Sequence, residues 1–155
     1  MAQIRHIAFA SDHPGRTADF YKQAFGFREL GRFGLDPNNP DVAPRPSGVM
    51  LTDGHLNIAI LKFTNDQTGV GLDYVGFHHF GVVVDDLDAW TKQIEALGAP
   101  NITTLADLPK TAHPEIKFRG PEGIVFDLSP TTWPGAAPVD PDTMKLPQPV
   151  KEAAE

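Results

Sequence analysis

Residues 76–86 read GFHHFGVVVDD, and this stretch decides the fold of the chain. The run from Phe80 to Val84 is apolar and β-branched, which is typical of a strand because branched side chains pack well on a pleated sheet. Histidine is an unusual residue for a buried strand, yet His78 and His79 stand at its start. These two side chains serve either as satisfied polar groups in the packing or as ligands of a metal. The rest of the sequence decides between the two alternatives.

The beginning of the chain repeats this stretch. When His6 is aligned with His79, an offset of 73 residues, residues 4–26 of the segment 4–27 match residues 77–99 of the segment 76–99. In each segment a short strand pattern is followed by a helical pattern that ends near a glycine. Internal repetition of this kind indicates two copies of one structural unit.

Each half contains one helix and further strands. Apolar residues at helical spacing predict the two helices; they are Phe20, Tyr21, Ala24 and Phe25 in the first half, and Leu87, Trp90, Ile94 and Leu97 in the second. Strands are predicted at 3–10, 28–33, 47–53, 56–63, 78–84, 101–104, 114–119 and 123–129. The fold class is therefore α+β, built from two tandem βαβββ modules.

The modules are expected to form one structural domain. We predict a first module over residues 1–65, a linker over 66–75, a second module over 76–132 and a proline-rich tail over 133–155. Such a tail either wraps over a surface or remains without a fixed structure.

The composition excludes several classes of protein. The 155 residues carry a formal net charge of −7 at pH 7, whereas non-specific nucleic-acid binding needs a cationic face. The chain has no cysteine, which excludes disulfides, thiolate metal sites and cysteine nucleophiles. We find neither a signal-peptide pattern nor an apolar run of about 18 residues, so we expect a cytoplasmic protein without a membrane partner.

Three residues are candidate metal ligands. His6 and His79 hold equivalent places in the repeat, and equivalent places converge on the axis of a pseudo-twofold arrangement. Neutral imidazole suits Zn, Fe, Mn or Ni. Asp127 is an acid within an otherwise apolar strand, where a carboxylate needs a partner. That partner is either a metal or a basic side chain, and Lys117 and Arg119 lie on the neighbouring predicted strand.

Lys117 and Arg119 alternate with apolar residues, so the two share one face of their strand. If that face lines the cleft, the pair can bind an anionic substrate. If it faces outward, the pair is a solvated surface, which is the arrangement we expect.

The sequence resembles the vicinal oxygen chelate superfamily, which includes glyoxalase I, extradiol dioxygenases, methylmalonyl-CoA epimerase, and the fosfomycin and bleomycin resistance proteins. The resemblance covers residues 3–129 and is carried by IRHIAFASDHPGRTADFYKQAFGF, HHFGVVVDDLDAW and FRGPEGIVFDLSP. It implies an open, cup-like mixed sheet with a ligand site inside it, and a homodimer.

The resemblance also implies a metal site. In the superfamily, residues of the first strand of each module and an acid on a last strand bind a divalent metal, which here implies His6, His79 and Asp127. The usual acid is glutamate, and aspartate is one methylene shorter. Ile58 is predicted at the matching position of the first module and cannot serve as a ligand. His78 is expected on the opposite face from His79, since neighbours in a strand alternate.

The implied function is a metal-dependent lyase, isomerase or dioxygenase. Its small substrate would chelate one divalent ion (Fe, Mn, Zn or Ni) through adjacent oxygens. His113 is the candidate catalytic base, or a supporting hydrogen-bond donor on the lip of the cleft. The alternative is a solvent-exposed loop histidine beside Pro114. The rival function is a metal-free protein that sequesters a small molecule, as in bleomycin resistance. A third possibility is an auxiliary binding subunit whose metal site has decayed.

Overall fold

The computed structural model describes residues 2–39, 41–103, 115–133 and 135–136. Within them the strands are β1 (Gln3–Ala10), β2 (Arg28–Phe33), β3 (Ser47–Thr52), β4 (Asn57–Lys62), β5 (Gly76–Val83), β6 (Ile116–Arg119) and β7 (Val125–Ser129). The helices are α1 (Pro14–Phe25) and α2 (Leu87–Ala96), and a 3-10 turn, Pro121–Gly123, connects β6 to β7.

The seven described strands form one open mixed sheet in the order β2-β3-β4-β1-β5-β7-β6. The first strands of the two halves, β1 and β5, pair antiparallel at its centre. Each of them also pairs in parallel with the last strand of its own half, β1 with β4 and β5 with β7. The predicted α+β class with repeated modules is confirmed. The exact module boundaries stay a prediction.

Local sequence explains where the helices begin and end. α1 begins with Pro14, whose fixed backbone angle suits the first helical turn. It ends at Gly26, which adopts the left-handed conformation and donates its N–H to the carbonyl of Lys22. α2 is capped by Asp86, whose carboxylate accepts a hydrogen bond from the N–H of Ala89. Among the described residues, no helix is long and apolar enough to span a membrane.

The helices bury less of their apolar stripes than the sequence predicts. Phe20 and Phe25 are 61% and 63% exposed, and Leu97 is 75% exposed. The small residue Ala18 is instead the buried contact of α1, where it packs with β3 and β4 residues. Trp90 is the buried contact of α2. A short side chain at the contact lets a helix approach the sheet closely, which leaves the large aromatic residues at its sides.

The predicted strand at 101–104 does not form as a regular strand in the described residues. Asn101 makes an isolated bridge with Phe118. The N–H of Ile102 donates to the carbonyl of Lys117 at 2.8 Å. The chain therefore runs beside β6 with only a few ladder bonds, and Thr104 lies outside the described residues.

The pairing of β1 with β5 is irregular at two places. In the first, Ile4 pairs with Val82 and His6 with Gly81, so Arg5 is passed over. An extra residue of this kind is a β-bulge, which bends the strand and changes the direction of nearby side chains.

The second irregularity lies on the other strand. Ala8 pairs with His79 and Phe9 with Phe77, so His78 is passed over. Each central strand therefore has one bulge, placed directly before the histidine that the sequence identifies as a candidate ligand.

Candidate functional site

His6, His79 and Asp127 lie together in the middle of the sheet. Nε2 of His6 is 3.1 Å from Nε2 of His79. Oδ2 of Asp127 is 3.0 Å from Nε2 of His79 and 3.6 Å from Nε2 of His6. Atoms that each lie about 2.1 Å from one ion are separated by about 3 Å. The two imidazoles and the carboxylate therefore fit one divalent ion in both donor type and spacing.

The strand register brings these three residues together. His6 pairs with Gly81 across the centre, and Gly81 pairs with Asp127 on the outer side. A Cβ atom at Gly81 would lie 2.2 Å from Cε1 of His6 and 2.7 Å from Oδ1 of Asp127. A glycine is therefore required for His6 to lie over β5. Sequence reasoning missed this role, although the alignment of the two repeats matches Gly81 with another small residue, Ala8.

His78 contributes to the same cluster. Its Nδ1 lies 2.7 Å from Nδ1 of His79, and its ring stacks on Phe63 with centroids 3.9 Å apart. The prediction that His78 lies on the opposite face is wrong, because the bulge interrupts the alternation of the strand. Burial, together with the nearby His79, lowers the pKa of His78 to about 3. His78 is therefore neutral, and its Nδ1 can accept a proton donated by Nδ1 of His79. With a metal bound, that tautomer would leave Nε2 of His79 available as a ligand. Without a metal, the other tautomer of His79 donates its Nε2–H to Oδ2 of Asp127.

The protonation states of the three candidate ligands suit metal binding. Burial lowers the pKa of both His6 and His79 below the usual value. Burial alone would raise the pKa of Asp127, but the ammonium of Lys117 and the hydrogen bond with His79 hold it well below its usual value. At neutral pH the site therefore presents two neutral imidazoles and one carboxylate, the forms that coordinate a cation.

Two buried cations surround the carboxylate. Nζ of Lys117 lies 3.3 Å from Oδ2 of Asp127, and Nη2 of Arg5 lies 3.2 Å from Oδ1. Both cations also pair with Glu115, Arg5 through Oε1 and Lys117 through Oε2 at 3.7 Å. These four groups form a closed network with no net charge.

The expectation that Lys117 belongs to a solvated face is wrong. Lys117 pairs with Asp127 in the ladder of β6 and β7, so the two side chains lie on one face of the sheet. Lys117 is only 4% exposed. The basic partner considered for Asp127 from sequence is therefore present. Arg119 has another role, since it donates to the carbonyl of Thr68 at 3.0 Å.

Trp133 packs over the first-module side of the cluster. Its ring stacks on the imidazole of His6 with centroids 4.9 Å apart and planes at 26°. The guanidinium carbon of Arg5 lies 5.9 Å from the same ring. The start of the predicted tail is thus in contact with the site, whereas residues 137–155 lie outside the described residues.

The position that matches Asp127 in the first module is Ala59. Gly81 pairs with Asp127, its counterpart Ala8 pairs with Ala59, and Ala59 is buried. The assignment of this position to Ile58 from sequence is therefore wrong by one residue. The conclusion that this position cannot provide a ligand is unchanged, since alanine has no donor atom.

The candidate base His113 lies outside the described residues, so its role stays a prediction. A cleft with about 150 Å³ of free volume reaches the cluster at His78. Apolar side chains from the segment before β5 and from the turn before β7 line it, among them Val70, Tyr74 and Ile124. The cleft gives a small molecule a place beside His78.

The comparisons with known proteins agree with this architecture. The family profile described as Glyoxalase/Bleomycin resistance protein/Dioxygenase superfamily matches residues 3–128. None of the curated proteins matches the chain.

Several solved structures have a similar fold. A hypothetical protein from Bacillus halodurans C-125 is 16% identical, with a TM-score of 0.61 over 83% of this chain and 93% of that chain. A methylmalonyl-CoA epimerase from Streptomyces coelicolor, in complex with 2-nitronate-propionyl-CoA, is 19% identical, with a TM-score of 0.61 over 82% and 95%. The methylmalonyl-CoA epimerase from Mycobacterium tuberculosis is 15% identical, with a TM-score of 0.60 over 85% and 89%. At these identities the similarity concerns the fold alone.

Proposed function

Because the chain belongs to the Glyoxalase/Bleomycin resistance protein/Dioxygenase superfamily, we propose that it is an enzyme that uses one divalent metal, Fe, Mn, Zn or Ni. His6, His79 and Asp127 would hold the metal. The observation that carries the proposal is the convergence of their three donor atoms, separated by 3.0 to 3.6 Å, on three adjacent strands. The substrate would be a small molecule with two adjacent oxygens.

The chain's own residues would prepare this site. With a metal on Nε2 of His79, His78 would accept the Nδ1 proton of His79 and fix the orientation of that ring. Trp133 holds the ring of His6 by stacking, and Gly81 leaves room for it. A bound divalent ion would supply Lewis acidity or, as iron or manganese, dioxygen chemistry to a chelating substrate. His113 remains the proposed base for any proton transfer at a substrate carbon.

Metal content tests the proposal directly. Protein purified without a histidine tag or chelator is expected to hold about one divalent ion per chain, whereas His79→Ala is expected to lose it. His55→Ala is the matched control, because His55 is exposed in the turn before β4. If the parent holds no ion after incubation with Fe(II), Mn(II), Ni(II) and Zn(II), the proposed enzyme function is wrong.

The rival function is a metal-free binding protein. The observation in its favour is the pairing of Asp127 with both Arg5 and Lys117, which balances the carboxylate without an ion. Turnover separates the two functions, since a sequestering protein protects against its ligand only in stoichiometric amount. Methylmalonyl-CoA is a suitable first compound for the turnover assay, because relatives of similar fold are named for it.

A homodimer is the remaining part of the proposal. The exposed rings of Phe20 and Phe25 on α1 form an apolar surface that a second copy could cover. Light scattering after size-exclusion chromatography measures the assembly. A monomer at micromolar concentration would contradict this part and leave the metal site unaffected.

A further inference from the structure

Arg5 and Lys117 are a pair of buried cations whose side chains are 2% and 5% exposed. Both contact Asp127 on one side and Glu115 on the other. The side chain of Glu115 is 27% exposed, the greatest exposure among these four charged groups. Glu115 is therefore the member of this network that reaches the solvent most.

Arg5 has hydrogen-bonding capacity that this arrangement does not use. Its Nε is buried and has no hydrogen-bond partner among the described residues. A buried donor without a partner is unfavourable, and an arginine fork binds a carboxylate best through two N–H groups. Glu115 engages Arg5 through one nitrogen and one oxygen, Nη2 and Oε1. A differently placed carboxylate could therefore make a better contact than Glu115 makes.

We propose that Arg5 and Lys117 form a carboxylate-binding subsite beside the three candidate ligands, and that Glu115 occupies it until the carboxylate of a substrate replaces it. The replacement exchanges one carboxylate for another, so the charge around the cations does not change. The displaced Glu115 reaches water at small cost because it is already partly exposed. The inference rests on the proposed function only in taking the surroundings of His6 and His79 as the substrate site, and it does not require a metal.

The subsite defines the class of substrate. The molecule would carry a carboxylate close to the oxygens that face His6 and His79. A neutral molecule would leave Glu115 in place and would gain nothing from Arg5 and Lys117. The same contacts would serve a sequestering protein whose ligand is a carboxylate.

Malonate, a small dicarboxylate, is the probe. It is titrated by calorimetry into the metal-free protein, into Glu115→Gln and into Glu29→Gln. Glu115→Gln removes the internal competitor and is expected to bind malonate about tenfold more tightly than the parent does. Glu29→Gln makes the same charge change at a network formed by Lys22 and Arg32, and is expected to bind like the parent.

A second variant tests the cations. Arg5→Gln in the Glu115→Gln background is expected to lose the gain, with the fold followed by near-ultraviolet circular dichroism. Equal affinity of the parent and Glu115→Gln would overturn the proposal, and so would a gain that survives the loss of Arg5. If Arg5→Gln does not fold, the comparison of Glu115→Gln with Glu29→Gln decides alone. Metal content decides the proposed function separately, so a protein without metal can still show this subsite.

Discussion

Arg5 and His78 are equivalent residues: each is passed over in the antiparallel pairing of β1 with β5, and each directly precedes a candidate ligand. The bulges bring both side chains to the cluster, Arg5 to Asp127 and His78 to His79. The two central strands therefore share the same backbone irregularity, but the residues at the two bulges differ in chemistry. One half supplies a cation beside the carboxylate, and the other supplies an imidazole beside the second histidine.

The contact between His78 and His79 predicts a loss of metal affinity when the acceptor is removed. His78→Phe keeps an aromatic ring against Phe63 but cannot accept the proton of His79. We expect metal affinity to fall by about tenfold to a hundredfold, as for other residues that orient a ligating histidine. Competition with a chromophoric chelator measures the affinity. An unchanged affinity in a folded variant would show that His79 does not need this partner.

The close approach of His6 to Gly81 predicts that adding one methyl group at Gly81 disrupts the site. In Gly81→Ala the new Cβ would lie 2.2 Å from the ring of His6, so His6 and Asp127 must move. We expect loss of metal binding and destabilisation of about 1–3 kcal/mol, the usual cost of overpacking. Gly31→Ala is the control, because its Cβ would meet only Cε of Met50 at 3.5 Å. Chemical denaturation and metal content are measured on both, and equal behaviour of the two variants would refute the close-approach argument.

Trp133 predicts an optical signal for metal binding. The chain has two tryptophans, so Trp90→Phe leaves Trp133, stacked on His6, as the single fluorophore. We expect Ni(II) or Mn(II) to quench its fluorescence in a saturable way, because a paramagnetic ion would lie close to the ring. Trp133→Phe is the matched control: it retains Trp90, which donates to Asp85 at the start of α2. Quenching of equal size in both variants would contradict a metal held at His6.

Much of the fold could be predicted from sequence because the two halves repeat the same pattern. β1 and β2 agree with their predicted ranges at both ends. The segment at 101–104 is different, since a short run beside a strand gives the same pattern whether or not it forms a full ladder. The three candidate ligands could be predicted because the sequence alone shows both the repeat and an acid within an apolar strand.

The surroundings of the site could not be predicted in the same way. The bulge at His78 cannot be recognised from the sequence. A prediction based on the alternation of side chains along a strand therefore assigns His78 to the wrong face. Arg5 and Glu115 are 110 residues apart, and no local pattern joins them. The position of Lys117 was accessible in principle, because counting back through the hairpin turn pairs it with Asp127.

Glu29 predicts a pH-dependent contribution to stability away from the site. Hydrogen bonds from Arg32 and then from Lys22 lower the pKa of Glu29 from 4.5 to about 2, although partial burial acts in the opposite direction. The folded state therefore favours the ionised form. The resulting stabilisation is complete above pH 4.5 and is lost as the pH falls from there towards about 2.

Glu29→Gln should therefore destabilise the protein at pH 7 and much less at low pH. We expect a loss of about 1 kcal/mol at pH 7, because the side chains are partly exposed and solvent weakens the pairing. For a chain of this size that corresponds to a decrease in Tm of about 2–4 °C. The two proteins are compared by thermal unfolding between pH 7 and pH 3. The difference in Tm should narrow below pH 4.5, where the parent loses part of its advantage. A difference that stays constant over this range would mean that the mutation acts through packing rather than through the charge of Glu29.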